Sequence, residues 1–146
     1  MCGIAGFLCN ESMHADNMQQ IVGRMTNSLD HRGPDATGIW SDNENHIALG
    51  HARLSIIDLS NNGVQPMMTS CGRYTLVFNG EIYNFKQLKD EFKIKEKFRT
   101  NSDTEVILRL FDKFGVDSFK KLSGIFAICI WDKLKKKIYL VRDTIG

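Results

Sequence analysis

An α+β sandwich is what this chain predicts, on three observations. Helical and extended signals alternate along 146 residues with no linker and no repeat between them. Two late runs, "GIFAICIWD" and "KIYLVRD", are apolar on both faces, which suits covered strands rather than an open sheet. A hydrophobic content of 42% beside 25% charged residues is ordinary for a globular domain, and the length suffices for one buried core.

The elements follow in order. "GIAGFL" (Gly3 to Leu8) reads as a buried strand. Met18, Ile21, Val22, Met25 and Leu29 fall at helical spacing between Asp16 and Leu29. "HRGPDATG" ends that helix, because Gly33-Pro34 is a turn signal and Pro34 has no backbone donor. "HIALGHARLSII" and "YTLVF" carry strand character. "NFKQLKDEF" sets Phe85, Leu88 and Phe92 on one face behind Asn84, a residue able to cap. In "SDTE", Ser102 caps and Glu105 reaches back, ahead of the stripe Val106, Ile107, Leu110, Phe111 and Phe114. Gly115 stands where that helix should stop. The two late strands flank "DKLKKK" as a hairpin flanks a solvated turn.

Composition also excludes function classes. A net charge of +2 with both signs dispersed gives no electrostatic footprint for nucleic acid. No stretch is long and apolar enough to span a membrane, and no basic n-region with an apolar h-region marks a signal peptide. Cys2, Cys9, Cys71 and Cys129 show neither CxxC pairing nor a histidine spacing suited to zinc. A cytoplasmic setting with free thiols is expected, with Cys129 an ordinary core residue.

Cys2 stands apart by position. Cysteine is small enough to permit removal of Met1, which leaves Cys2 with a free α-amine. An α-amine titrates at about 7.7–8.0 and a thiol near 8.5, so the two are matched for proton transfer near neutrality. One residue then supplies both nucleophile and base.

Eight motifs in order carry a resemblance across essentially the whole chain: "MCGIAGF", "HRGPDATG", "LGHARLSIIDLS", "QPM", "FNGEIYNF", "NSDTEVIL", "GIFAICIWD" and "VRDTIG". Together they resemble the glutamine-hydrolysing domain of the asparagine synthetase family, a class II glutamine amidotransferase of the N-terminal nucleophile hydrolase group. The fold implied is a four-layer αββα sandwich, and the implied domain spans residues 1–146.

The resemblance also implies roles. Cys2 attacks the side-chain amide of glutamine, and the Asn79 side-chain amide with the Gly80 N–H holds the oxyanion. On its own, Asn79-Gly80 also reads as a hairpin turn. Arg53 grips the α-carboxylate, Asp103 receives the α-ammonium, and Glu81 assists beside it. Asp103 on its own also suits the first turn of a helix. Backbone groups of Arg53, Leu54, Ser55, Ile56 and Ile57 line the pocket. Asn101 stands where the family usually has a glycine. His31, His46 and His51 take no catalytic role, His31 and His51 being expected as structural hydrogen-bonders.

The implied reaction passes through a γ-glutamyl thioester to glutamate and ammonia, with no metal or organic cofactor in this domain. ATP and magnesium belong to a synthetase domain, in the same longer protein or a separate subunit, for which no "SGGxDS"-like loop occurs in these residues. The chain stops at Gly146 inside "RDTIG", so a fragment or truncation is expected. Asparagine formation is the default destination of the nitrogen. The alternatives are transfer to another acceptor, such as a sugar or a cell-surface polysaccharide precursor, a catalytically silent glutamine-binding or interaction module, and a cysteine hydrolase acting on a different amide. A homodimer stays open.

Overall fold

The computed structural model describes residues 2–10, 14–55, 63–92 and 98–145. Its first three strands are β1 (Gly3–Leu8), β2 (Ala36–Asp42) and β3 (Ile47–Arg53), with helix α1 (Ala15–Asn27) between β1 and β2. They form an antiparallel sheet in the order β1-β3-β2. A second antiparallel sheet runs β4-β5-β6-β7, from β4 (Met67–Met68), β5 (Tyr74–Ile82), β6 (Gly124–Asp132) and β7 (Lys137–Arg142). Between β5 and β6 lie α2 (Phe85–Glu91), α3 (Asp103–Phe114) and a 3₁₀ segment, Gly115–Lys121.

Alternation along the strands sorts side chains between two interfaces. On β3, Ile47 and Leu49 face the second sheet and meet Val77, Cys129 and Trp131. Ala48, one residue over, faces α1 and packs on Met18 and Val22. On the far side, Val106, Ile107, Leu110 and Phe111 of α3 cover Leu76, Phe78, Ile128 and Ile130. The layers are therefore α1, sheet, sheet, and α2 with α3, the expected αββα sandwich. Cys129 is 7% exposed inside it, and burial pushes its thiol up to about 11.

Several local expectations need correction. β1 is not buried throughout: it lies at a sheet edge, and Leu8 is 54% exposed. β7 is also an edge, with Leu140 77% exposed, so its apolar faces are not both covered. Helix α1 stops at Asn27, before Leu29, whose side chain instead packs over Gly3. Asn84 precedes α2 without capping it; its amide donates to the Lys121 carbonyl (2.9 Å) and accepts from the Ser123 N–H (3.0 Å).

The capping box of α3 is half formed. Ser102 Oγ accepts from the Glu105 N–H at 3.4 Å, but Glu105 does not return the bond to Ser102. Its carboxylate takes the N–H groups of Arg99 and Thr100 and the Arg109 guanidinium (2.7 Å), while the Ser102 N–H turns to Thr100 Oγ1. The backbone at Arg99 and Thr100 lies over the helix start and supplies these donors to the carboxylate. Gly115 ends α3 with φ +58°, as expected. Strands β2 and β4 had no reading from sequence.

Candidate active site

One end of the sandwich opens into a cavity of about 160 Å³. Antiparallel register builds its first wall: Gly3 pairs with Ala52, so Cys2 comes off β1 beside the Arg53–Leu54 end of β3. The Leu54 N–H donates to Cys2 Sγ at 3.3 Å, and the thiol faces the Leu54 carbonyl at 3.6 Å. Arg32 Nε donates to the Cys2 carbonyl at 3.3 Å. Asp35 brackets the same stretch, its N–H on the Arg53 carbonyl (3.0 Å) and its Oδ2 under the Ser55 N–H (2.7 Å). The "HRGPD" turn thus anchors both the cysteine and the loop that holds it.

The second wall is β5. Asn79 and Gly80 do not turn; they stay in the strand, opposite Ala127 and Phe126. Gly80 has φ +147°, and a Cβ there would strike the Ile125 carbonyl, so only glycine fits. Asn79 Oδ1 is buried with no hydrogen-bond partner among the described residues. Glu81 is exposed at the cavity edge.

The start of α3 closes the third side. Asp103 is 4% exposed, its Oδ2 accepting from the Ile82 N–H (3.0 Å) and its Oδ1 from the Thr104 N–H (2.9 Å). Burial raises its carboxyl above the ordinary aspartate value, against those backbone donors, and the charge of Glu81 adds to the rise. Asn101 needs no glycine, because among the described non-glycine residues only His46 and Lys136 have positive φ.

Cys2, Arg53, Leu54 and Ser55 therefore meet Asn79, Gly80, Glu81 and Asp103 around one cavity. Ile56 and Ile57 lie outside the described residues, as does Met1. Sequence reasoning gave no site role to Gln65 or His51, which also line this cavity. Gln65 is 5% exposed, and its Oε1 accepts from the Phe78 N–H at 2.6 Å. His51 is 1% exposed, with Nε2 3.2 Å from the Phe78 carbonyl, and burial pushes its imidazole down to about 4. The signals were present in "QPM" and "LGHARLS", but neither residue type identifies its partner.

Comparison with known proteins adds the lineage. Residues 1–146 match the family described as "Glutamine amidotransferase domain". Amidase chry2 of Gibberella zeae is 37% identical over the whole chain, which spans 23% of that protein. Asparagine synthetase [glutamine-hydrolyzing] 3 of Bacillus subtilis is 36% identical, again over the whole chain and 24% of its own length. The chain thus spans about a quarter of these curated relatives. A solved glutamine phosphoribosylpyrophosphate amidotransferase from B. subtilis superposes with a TM-score of 0.71 over 97% of this chain and 36% of its own, at 23% identity. That likeness speaks for the fold. Order of motifs, layered architecture and family match agree, and the chain belongs to the glutamine amidotransferase domain family.

Proposed function

We propose that this chain hydrolyses the side-chain amide of L-glutamine through Cys2. The observation that carries the reading is the convergence of a cysteine, an arginine and an aspartate on one small cavity, as Cys2, Arg53 and Asp103. Free glutamine carries an α-carboxylate and an α-ammonium, so a site for it needs one fixed cation and one fixed anion beside the nucleophile. Arg53 takes the carboxylate, Asp103 takes the ammonium, and Glu81 adds negative charge at the entrance. Arg53, Leu54 and Ser55 line the pocket beside them.

Two half-reactions follow. The α-amine released by loss of Met1 accepts the thiol proton as Cys2 Sγ attacks the amide carbon. The oxyanion rests on Asn79 Nδ2 and the Gly80 N–H, donors fixed before the charge develops. Collapse breaks the C–N bond, the amine returns its proton to the leaving nitrogen, and ammonia departs from a γ-glutamyl thioester. Water then adds to the thioester and expels the thiolate, giving glutamate. No cofactor enters these steps; ATP and magnesium serve a synthetase domain that receives the ammonia. The cytoplasm, where thiols stay reduced, suits this chemistry.

Asparagine synthesis is the first choice for the nitrogen's destination. A second reading, delivery to another acceptor, is favoured by relatives of equal similarity bearing the names amidase and asparagine synthetase. The test is Cys2→Ala, with ammonia and glutamate release measured from glutamine and the mass of the purified chain checked for Met1. Wild-type turnover that vanishes in Cys2→Ala, on a chain lacking Met1, is the expected result. Equal turnover in both overturns the mechanism, and a retained Met1 with no glutamate formed favours the silent module.

A further inference from the structure

Strand β4 is only two residues long, and its ladder partners on β5 are Leu76 and Thr75. The ladder therefore stops short of Phe78, the residue directly before Asn79. Phe78 pairs with Ile128 on β6, but on the β4 side, where the ladder has ended, a buried strand residue must find other partners for its N–H and C=O. Phe78 is 3% exposed, and two side chains from different parts of the fold take those positions. Gln65 Oε1, just ahead of β4, accepts the Phe78 N–H at 2.6 Å. His51 Nε2, reaching across from the other sheet, meets the Phe78 carbonyl at 3.2 Å.

The chemistry of each group fits its place. A carbonyl accepts only, so His51 Nε2 carries the hydrogen and Nδ1 is the bare nitrogen, the tautomer set by the partner. Nδ1 is buried with no partner among the described residues to receive a second proton, and the Arg53 charge opposes one there. Gln65 uses its other end as well: Nε2 lies 3.4 Å from Thr104 Oγ1, next to Asp103 on α3. Asn79, by contrast, has no anchor through Oδ1 among the described residues. Its side chain is placed by its backbone, and that backbone is held at the Phe78 peptide.

We infer that Gln65 and His51 are positioning residues that clamp the Phe78 peptide and thereby aim Asn79 and Gly80 at the oxyanion of the glutaminase reaction. The inference rests on the glutaminase reading given above. It gives the buried glutamine and histidine a role that neither the thiol nor the zwitterion contacts supply. Gly38 belongs to the same device, since a Cβ there would strike the Gln65 carbonyl and push this residue off β2.

The experiment compares His51→Leu and Gln65→Leu with the conservative variants His51→Gln, which keeps a donor, and Gln65→Glu, which keeps an acceptor. The leucine variants are expected to lose roughly 10- to 100-fold in kcat for glutamine hydrolysis, the scale of a misaimed catalytic group, with KM little changed. Alkylation of Cys2 by iodoacetamide proceeds at the wild-type rate in all four, because the thiol is held by Leu54 and the Cys2 carbonyl by Arg32, neither of which is changed. The conservative variants recover most of kcat, and they keep the test alive where a leucine variant fails to fold. Leucine variants that retain wild-type kcat overturn the clamp. So does a kcat loss matched by equally slow alkylation, or one that the conservative changes do not restore. Where wild type acts through Cys2 but the clamp variants change nothing, this inference alone falls. Where wild type and Cys2→Ala release ammonia alike, the glutaminase reading falls and takes the clamp with it.

Discussion

Asp103 shows how much a single residue's surroundings decide. Burial disfavours its charge, while two backbone N–H groups favour it, and burial wins. In the proposed site the ionised form receives the glutamine ammonium. KM for glutamine is therefore expected to climb as pH falls through the raised Asp103 value, while alkylation of Cys2 follows a different profile. Asp103→Asn should raise KM and flatten that dependence, which steady-state assays across the acid range will read. For the fold the sign is opposite: ionisation costs stability as pH rises from the ordinary aspartate value through the raised one. The asparagine variant loses that slope. That Cys2, Arg53 and Asp103 line one cavity was legible from sequence, because their motifs group them. Gln65 and His51 were not, because their meaning lies in a peptide 13 and 27 positions away.

At the scale of elements, the strands illustrate the same limit. Tyr74 to Phe78 declared itself by composition, but the strand runs on to Ile82 through an Asn-Gly pair that reads locally as a turn. Pairing with Phe126 and Ala127 overrides that local preference. Strand β2 escaped notice because its partner β3, buried along its full length, supplies the core side chains that β2 lacks. Helix α3 was legible almost to the residue: its apolar stripe covers the second sheet and Gly115 ends it. Two substitutions separate packing from chemistry. Leu110→Ala, at a fully buried position, is expected to cost about 2–5 kcal/mol in denaturant unfolding while folded molecules keep their kcat. Gly80→Ala combines an unfavourable φ with a collision at the Ile125 carbonyl, so it should cost about 1–3 kcal/mol and abolish turnover as well.

For the molecule as a whole, layering was readable because β6 is apolar on both faces, and only a strand between two layers needs that. Which sheet edge faces outward was not readable: Leu8 and Leu140 look like core residues in the sequence and sit at the rims of the two sheets. The sulfur that the two sheets enclose has a practical consequence. Cys2 and Cys9 are partly accessible and Cys71 is exposed, whereas Cys129 sits between the sheets with its thiol held in the neutral form. A maleimide pulse on native protein is expected to mark the first three and spare the fourth, with mass spectrometry counting the labels. Cys129 should gain its label only when the sheets part, along the same denaturant curve as the loss of circular dichroism. Labelling at Cys129 well before that transition means that the sheets separate locally. The chain thus carries a native footprinting probe at its centre, needing no engineered tag to reveal when the sandwich opens.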